Sequence, residues 1–339
     1  MLNRILQTVA GVAVAFALLA LAWPQIFSAQ RTVIVAQAVS FRGLSALVAV
    51  AGVVVLLVVS LFLPRLRRFI ATLAVMLAVF ALVNVVTVAG RGLGSTPTGF
   101  GSTVRVLSWN TGGAVSAEQI ADLALDYNAS IIALPETSAA TARKVAALMA
   151  TAGNPMSELT REAYSGDPAM ATSLLTSVLM GEYTLETGRG NTNAVPSVVA
   201  TPVNPAGPTI VAVHAIGPIL GEMANWRADL SWLKNQCRRG NVILAGDFNA
   251  TIDHMHSLGA ATLGNCTSAG QLTGSEAVGT WPTALPPALG TPIDHIMFSP
   301  DWHPTGMRVV SDLDAAGSDH RPVLVWLAPV EKAVAPPEE

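Results

Sequence analysis

The apolar run "NVILAGDFN", residues 241–249, ends on two side chains that could do chemistry, Asp247 and Asn249. Residues two apart in a strand point to the same side, so the carboxylate and the carboxamide would address one point. A carboxylate can hold a cation or take a proton, and a neutral amide can donate to an anion. Gly-Asp also ends strands for turn reasons alone, so the pair needs company before it means anything.

The company is there. "VRVLSWN" leads to Asn110, "SIIALPE" to Glu136 and "PTIVAVHAIGP" to His214. "TPIDHIMFS" carries Asp294, and "GSDHRPVLVWLAP" carries Asp319 and His320. Each apolar stretch reads as a strand with a metal- or phosphate-binding side chain at its end. Strand ends converge at one rim of a sheet, where sites are built. Singly, each has a plain explanation: Asn110 and Ser318-Asp319 as turns, Glu136 as a helix cap, His214 as a core histidine, Asp294 as an edge charge. Six such positions in one chain are poorly explained that way.

The elements that must carry these residues alternate. "SAEQIADLALDY", capped by Ser116, "TSAATARKVAALMA" and "EMANWRADLSWLKNQC", apolar at Met223, Trp226, Leu230 and Leu233, read as helices between the strands. They occupy a domain expected over 104–329. About 230 residues suffice for a large core.

What precedes it is a different material. The chain of 339 residues is 51% apolar and only 12% charged, with a mean hydropathy of +0.50, where soluble proteins carry about 25% charge. Residues 1–100 hold no Asp or Glu and seven arginines, Arg4, Arg31, Arg42, Arg65, Arg67, Arg68 and Arg91. Three stretches without formal charge, 6–27, 43–63 and 69–90, are each about the length that crosses a hydrocarbon core of roughly 30 Å. A three-helix transmembrane region is therefore expected over 1–90, a flexible Gly/Ser/Thr-rich linker over 91–103 and a disordered tail over 330–339. The cluster "PRLRR", 64–68, places the loop between the second and third helices in the cytoplasm and the following domain outside it. Cys237 and Cys266, both in that domain, then lie where a disulfide persists, the other reading being two buried thiols.

In order, "SWN", "LPE", "VH", "GDFN", "TW…IDH" and "GSDHRPV" resemble the motif series of the endonuclease/exonuclease/phosphatase superfamily, the deoxyribonuclease-I-like fold, in a membrane-anchored, actinobacterial-type form. The resemblance spans about 104–327, with Pro135 where the family more often has Gln. It implies an α/β fold, a four-layer sandwich of two packed β-sheets flanked by helices, here preceded by three transmembrane helices. It implies Mg²⁺- or Mn²⁺-dependent cleavage of a phosphate ester. Glu136 would hold the metal, with Asn110 and Asp319 beside it. His320 with Asp294 would form the pair that polarises a group at the phosphate. Asp247 would contact the nucleophile, and Asn249 and His214 would hold phosphate oxygens. Which of Asp247 and His320 is the base stays open. His254 and His256 lack further ligands for a zinc site. Trp281 resembles an aromatic near the family's substrate pocket, though burial alone also explains it.

Charge narrows the substrate. Of 19 basic residues seven lie in the first 100, so 12 face all 22 acids in the remainder, a net charge of −10. With no basic stripe, nucleic acid is a disfavoured partner. The expectation is an extracytoplasmic phosphodiesterase or phosphatase of the cell membrane, acting on a membrane lipid or a lipid-linked or cell-envelope phosphate. A surface nuclease and a non-catalytic membrane binding module are the alternatives. The sequence does not give the oligomeric state.

Overall fold

The computed structural model describes residues 2–94, 104–163 and 167–330. Residues 95–103 and 331–339, most of the expected linker and tail, lie outside the described residues. The chain begins with helices α1 (Leu2–Ala22), α2 (Val35–Ser40), α3 (Arg42–Phe62) and α4 (Arg67–Arg91). α1, α3 and α4 are long and apolar enough to cross a membrane. Only 11% to 22% of each span is covered by protein, so side chains such as Val12, Val54 and Val86 face outward. Ala22, Ala49, Phe80 and Ala81 form the small core where the three helices meet.

The elements that follow are β1 (Val104–Ser108), α5 (Ala117–Asp126), β2 (Ile131–Pro135), α6 (Ala139–Thr151), β3 (Met156–Glu162), β4 (Ala171–Ser177), β5 (Tyr183–Leu185), β6 (Val198–Pro202) and β7 (Thr209–His214). Then come α7 (Met223–Gln236), β8 (Val242–Asp247), α8 (Ile252–Met255), β9 (Thr267–Ser268), α9 (Ala269–Thr273), β10 (Asp294–Phe298), β11 (Trp302–Val309) and β12 (Val323–Pro329). They form two six-stranded sheets, β11-β12-β1-β2-β4-β3 and β5-β6-β7-β8-β10-β9. In each, one parallel pair, β1 with β2 and β7 with β8, lies among antiparallel neighbours.

Alternation explains the layers. Ile243 and Ala245 of β8 join Val106, Ile131 and Val325 in the core between the sheets. Val242 and Leu244 face the other way, onto Trp226, Leu230 and Leu233 of α7. Leu107 and Ile132 pack outward against Ile120 of α5 and Val145 of α6. Helix, sheet, sheet and helix follow from strands apolar on both faces. The Ser116 cap forms, as a full capping box with Gln119. Cys237 at the end of α7 is bridged to Cys266.

The expected linker departs from free chain at its start. The Ala277 N–H donates to the Gly92 carbonyl at 3.0 Å, the Glu276 N–H to that of Arg91 at 3.1 Å, and the Gly94 N–H to that of Gly274 at 3.3 Å. Ala36 of α2 lies fully buried in the apolar cluster between the second sheet and α7. The membrane-type helices and the sandwich are one packed structure.

Candidate active site

The register brings the expected residues to one rim. β7 and β10 both pair with β8, so that His214 and Asp294 flank Asp247 directly. From the other sheet, Asn110 follows β1, and Glu136 follows β2. Two expectations need correction in detail: Asp294 opens β10 and Asp319 and His320 precede β12, rather than ending strands. Both strands run antiparallel to their neighbours, so their beginnings meet the same rim.

Local backbone aims these side chains. Gly246 has φ +150°, and a Cβ there would lie 2.0 Å from the Val213 carbonyl oxygen, so only glycine lets β7 approach. Glu136 and Asn249 have φ of 52° and 47°, a region that non-glycine residues seldom adopt. Glu136 is held in it by donors to its carbonyl, the Thr111 hydroxyl at 2.8 Å and the Gly113 N–H at 3.0 Å.

The polar groups form one network. The Asn110 amide donates to Glu136 Oε1 at 3.0 Å and Asp247 Oδ2 at 3.1 Å, while its oxygen accepts from the Gly112 N–H at 3.0 Å. Asp247 also accepts from the Asn249 N–H at 2.8 Å and from Asn249 Nδ2 at 3.1 Å. Asn249 Nδ2 donates further to the Ala215 carbonyl at 2.8 Å. His320 Nδ1 bonds Asp294 Oδ2 at 2.9 Å, and its Nε2 stands 3.9 Å from both Asp247 Oδ2 and Asp319 Oδ1. Trp281 Nε1 donates to Asp319 Oδ2 at 2.7 Å. Ser318 ties the start of β12 to the end of β1 within the first sheet, donating to the Asn110 carbonyl at 2.6 Å and accepting from the His320 N–H at 3.0 Å. Thr280 fixes Asp294 by accepting its N–H at 3.2 Å.

Burial and charge set the protonation. Burial, then the charge of Asp294, pushes the Asp247 carboxyl up to about 7, against the pull of His320. Burial would lower His320, but Asp294 and then Asp247 outweigh it and raise it to about 10. His320 is thus an imidazolium near neutrality. Burial lowers His214 to about 3, with His320 adding to the effect, so it is a neutral imidazole. Its Nε2 lies 3.7 Å from Glu136 Oε1.

These residues border a cavity of about 330 Å³ lined by Glu136, Asp247, Asn249, Trp281 and His320. Asn110, His214 and Asp294 are buried and stand behind residues that line it. Among the lining residues not expected from the sequence, Gln37, Ser40 and Phe41 come from the segment between the first two apolar helices. The available signal was length, since 15 residues separate two spans that a tight turn could join.

The donor set suits a hard divalent cation. It offers carboxylate and amide oxygens and no sulfur. Four carboxylates, Glu136, Asp247, Asp294 and Asp319, face the one cation His320, and an anionic ester could not approach them unless positive charge were added. Asp247, Asp294 and His320 place ligand atoms within 4.8 Å of one another and could bind a metal ion. His320 Nδ1 is bonded to Asp294, and Glu136 is a further carboxylate on the same cavity.

Known proteins bear on this geometry. The family described as Endonuclease/Exonuclease/phosphatase family matches residues 107–320. An endonuclease/exonuclease/phosphatase structure from Beutenbergia cavernae has a TM-score of 0.51 at 17% identity, covering 67% of this chain and 71% of that one. TDP2 of D. rerio, complexed with a single-strand DNA product, has a TM-score of 0.51 at 16% identity, covering 66% and 98%. The AP endonuclease LMAP from Leishmania major has a TM-score of 0.51 at 12% identity, covering 71% and 94%. At such identities the likeness is one of fold. No curated protein matches the chain in sequence.

Proposed function

Because the chain belongs to the endonuclease/exonuclease/phosphatase family, whose members hydrolyse phosphoester bonds, we propose that it is a membrane-anchored, extracytoplasmic phosphoesterase. Its substrate is a lipid-linked or cell-envelope phosphate ester, and it uses Mg²⁺ or Mn²⁺. The observation that carries the catalytic reading is the convergence of Glu136, Asp247 and the His320–Asp294 pair on one cavity. Glu136 would hold the ion with Asn110 and Asp319, and the ion would neutralise charge on the phosphate.

The chain's own residues divide the rest. Asp247, poised near neutrality, positions a water and takes its proton as the water oxygen bonds to phosphorus. Asp294 orients His320 and keeps it charged, so that the imidazolium attracts the non-bridging oxygens as the P–O bond to the leaving group breaks and the leaving oxygen takes a proton from solvent water. Asn249 fixes the Asp247 carboxylate through two bonds and presents a neutral amide to the phosphate. His214, neutral and buried with its Nε2 3.7 Å from Glu136, would donate to the phosphate oxygens without adding charge.

The membrane part of the reading is supported by the three spanning-length helices packed on the same domain. The net charge of −10 speaks against a polyanionic substrate. The test is the purified full chain with Mg²⁺ or Mn²⁺ against phospholipids, polyprenyl phosphates and DNA. Cleavage of DNA alone would replace this reading with a surface nuclease. No cleavage of any ester by either metal would leave a membrane binding module.

A further inference from the structure

One side of the active-site cavity is built by the membrane-type region. α2 docks on the sandwich through its backbone and both faces. The Ala36 carbonyl lies 2.9 Å from His254 Nε2, and Nδ1 of that ring accepts from the Thr251 N–H at 2.9 Å, so Nε2 carries the proton. Gln37 donates to the Pro218 carbonyl and stands 3.8 Å from the Met223 sulfur. One residue past α2, Phe41 packs on Trp281 with ring centroids 5.8 Å apart, and Trp281 is the residue that holds Asp319.

The cavity therefore has two chemically different kinds of lining. Glu136, Asp247, Asn249 and His320 supply the polar part, and Phe41, Ile219 and Ile293 supply apolar surface. The rim continues the apolar character outward. Ile219 and Leu220 are 57% and 85% exposed, and Ile34, one turn before Gln37, is 73% exposed. The Gln37–Pro218 bond holds these two segments together. Large aliphatic side chains at the mouth of a site mark an apolar partner. The partner's source follows from the chain, because α3 starts at Arg42, the residue after Phe41. Phe41, part of the apolar lining, thus sits at the head of a membrane span.

We propose that α2 and Phe41 form the binding wall for the apolar part of the substrate, and that this substrate is a phosphate ester of a long alkyl or prenyl chain entering from the membrane. Its phosphate lies toward Asp247 and His320 and its first carbons against Phe41 and Ile219. A volume of about 330 Å³ is at the small end of ligand sites. It takes a phosphate and the beginning of a chain, and the remainder stays in the bilayer. This inference rests on the phosphoesterase reading for the reaction but not for the binding wall.

The test uses the full chain in lipid nanodiscs and two readouts. First, wild type, Phe41→Ala and Phe41→Leu are compared on matched esters of methyl and decyl phosphate. Phe41→Ala should lose at least tenfold more in kcat/KM on the decyl ester than on the methyl ester, with Phe41→Leu retaining most of the decyl rate. Second, because the chain's two cysteines are bridged, Phe41→Cys carries one reactive thiol. Decyl phosphate should protect it from a maleimide at concentrations where orthophosphate does not. Equal losses on both esters together with no selective protection overturn the wall, even if the esters are hydrolysed. Selective protection with neither ester hydrolysed keeps the wall and sinks the phosphoesterase reading instead.

Discussion

Replacing Asp253 tests whether the membrane-type helices and the sandwich are truly one structure. Its carboxylate, 2% exposed, accepts five hydrogen bonds. Arg42 Nε and Nη2 donate at 2.7 Å, Arg91 Nη1 and Nη2 at 2.8 Å, and Gln25 Nε2 at 2.9 Å. One side chain of the catalytic part thus gathers the ends of α3 and α4 and the turn after α1. Burial alone would raise its pKa, but Arg42 and then Arg91 hold the carboxyl well below the usual range. Asp253→Ala strands the Arg42 guanidinium, itself 7% exposed. Removing one partner of a buried pair costs about 3–5 kcal/mol, and for a domain of this size that lowers the melting temperature by roughly 10 °C. The double variant Asp253→Ala/Arg42→Met removes the more deeply buried of the two stranded cations, Arg91 being 20% exposed. It should be more stable than Asp253→Ala alone, by about 1–2 kcal/mol, because a buried pair replaced by apolar groups is often near neutral. The assay is thermal unfolding of the full chain in detergent micelles. Additive losses within about 0.5 kcal/mol would refute the argument. The sign with pH is fixed: a carboxyl lowered in the folded state contributes stability above its free value near 4 and loses it as pH falls through its folded value. The gap between wild type and Asp253→Ala should hold from pH 5 to 8 and close only in stronger acid.

Glu136→Gln should abolish most phosphoesterase activity and regain part of it at raised Mg²⁺ or Mn²⁺, because it weakens a metal site rather than the proton chemistry; full activity at ordinary metal would misplace the ion. Asp247→Asn and His320→Ala should each lose on the order of 10²-fold or more in rate, with no rescue by metal at any concentration and an unchanged far-UV spectrum. The pH profile of kcat/KM should rise with an apparent value near 7 as Asp247 ionises and fall near 10 as His320 loses its proton; a flat profile across pH 6–9 would contradict the division of roles.

The site was legible because its residues interrupt apolar strands. A strand buried on both faces shows as an unbroken run, and a charge at its end stands out, as Glu136 does after "IIALP" and Asp247 after "VILAG". The helices α5 and α7 were legible from a cap and a 3.6-residue stripe. Edge strands were not: β3, "MSELTRE", is half polar because one face meets solvent, so it carries no apolar signal. The docking of α2 was not legible either. Gln37 and Phe41 look like loop residues between two spans until Ala36 and His254 fix the segment against the second sheet. Arg42 and Arg91 read in the sequence as charges flanking membrane helices, and nothing local pairs them with a residue more than 160 positions away.

That pairing bears on which side of the membrane the catalytic part occupies. Arg31, Arg42 and Arg91 count against the proposed orientation by the positive-inside rule. In the fold they have another reason to be there. Arg42 and Arg91 neutralise buried Asp253, and Arg31 donates to the carbonyls of His254 and His256 at 2.6 and 2.9 Å. Arg65, Arg67 and Arg68 lie at the opposite ends of α3 and α4 and have no acidic partner among the described residues. A cytoplasmic catalytic domain would leave that cluster outside with no structural role to explain it. An extracytoplasmic one leaves no arginine unexplained, and it puts Cys237 and Cys266 where a bridge persists. A reporter fused after Leu93 should therefore be active only in its extracytoplasmic form; activity confined to the cytoplasmic form would reverse the orientation, and with it the claim that substrate arrives from the outer face of the membrane.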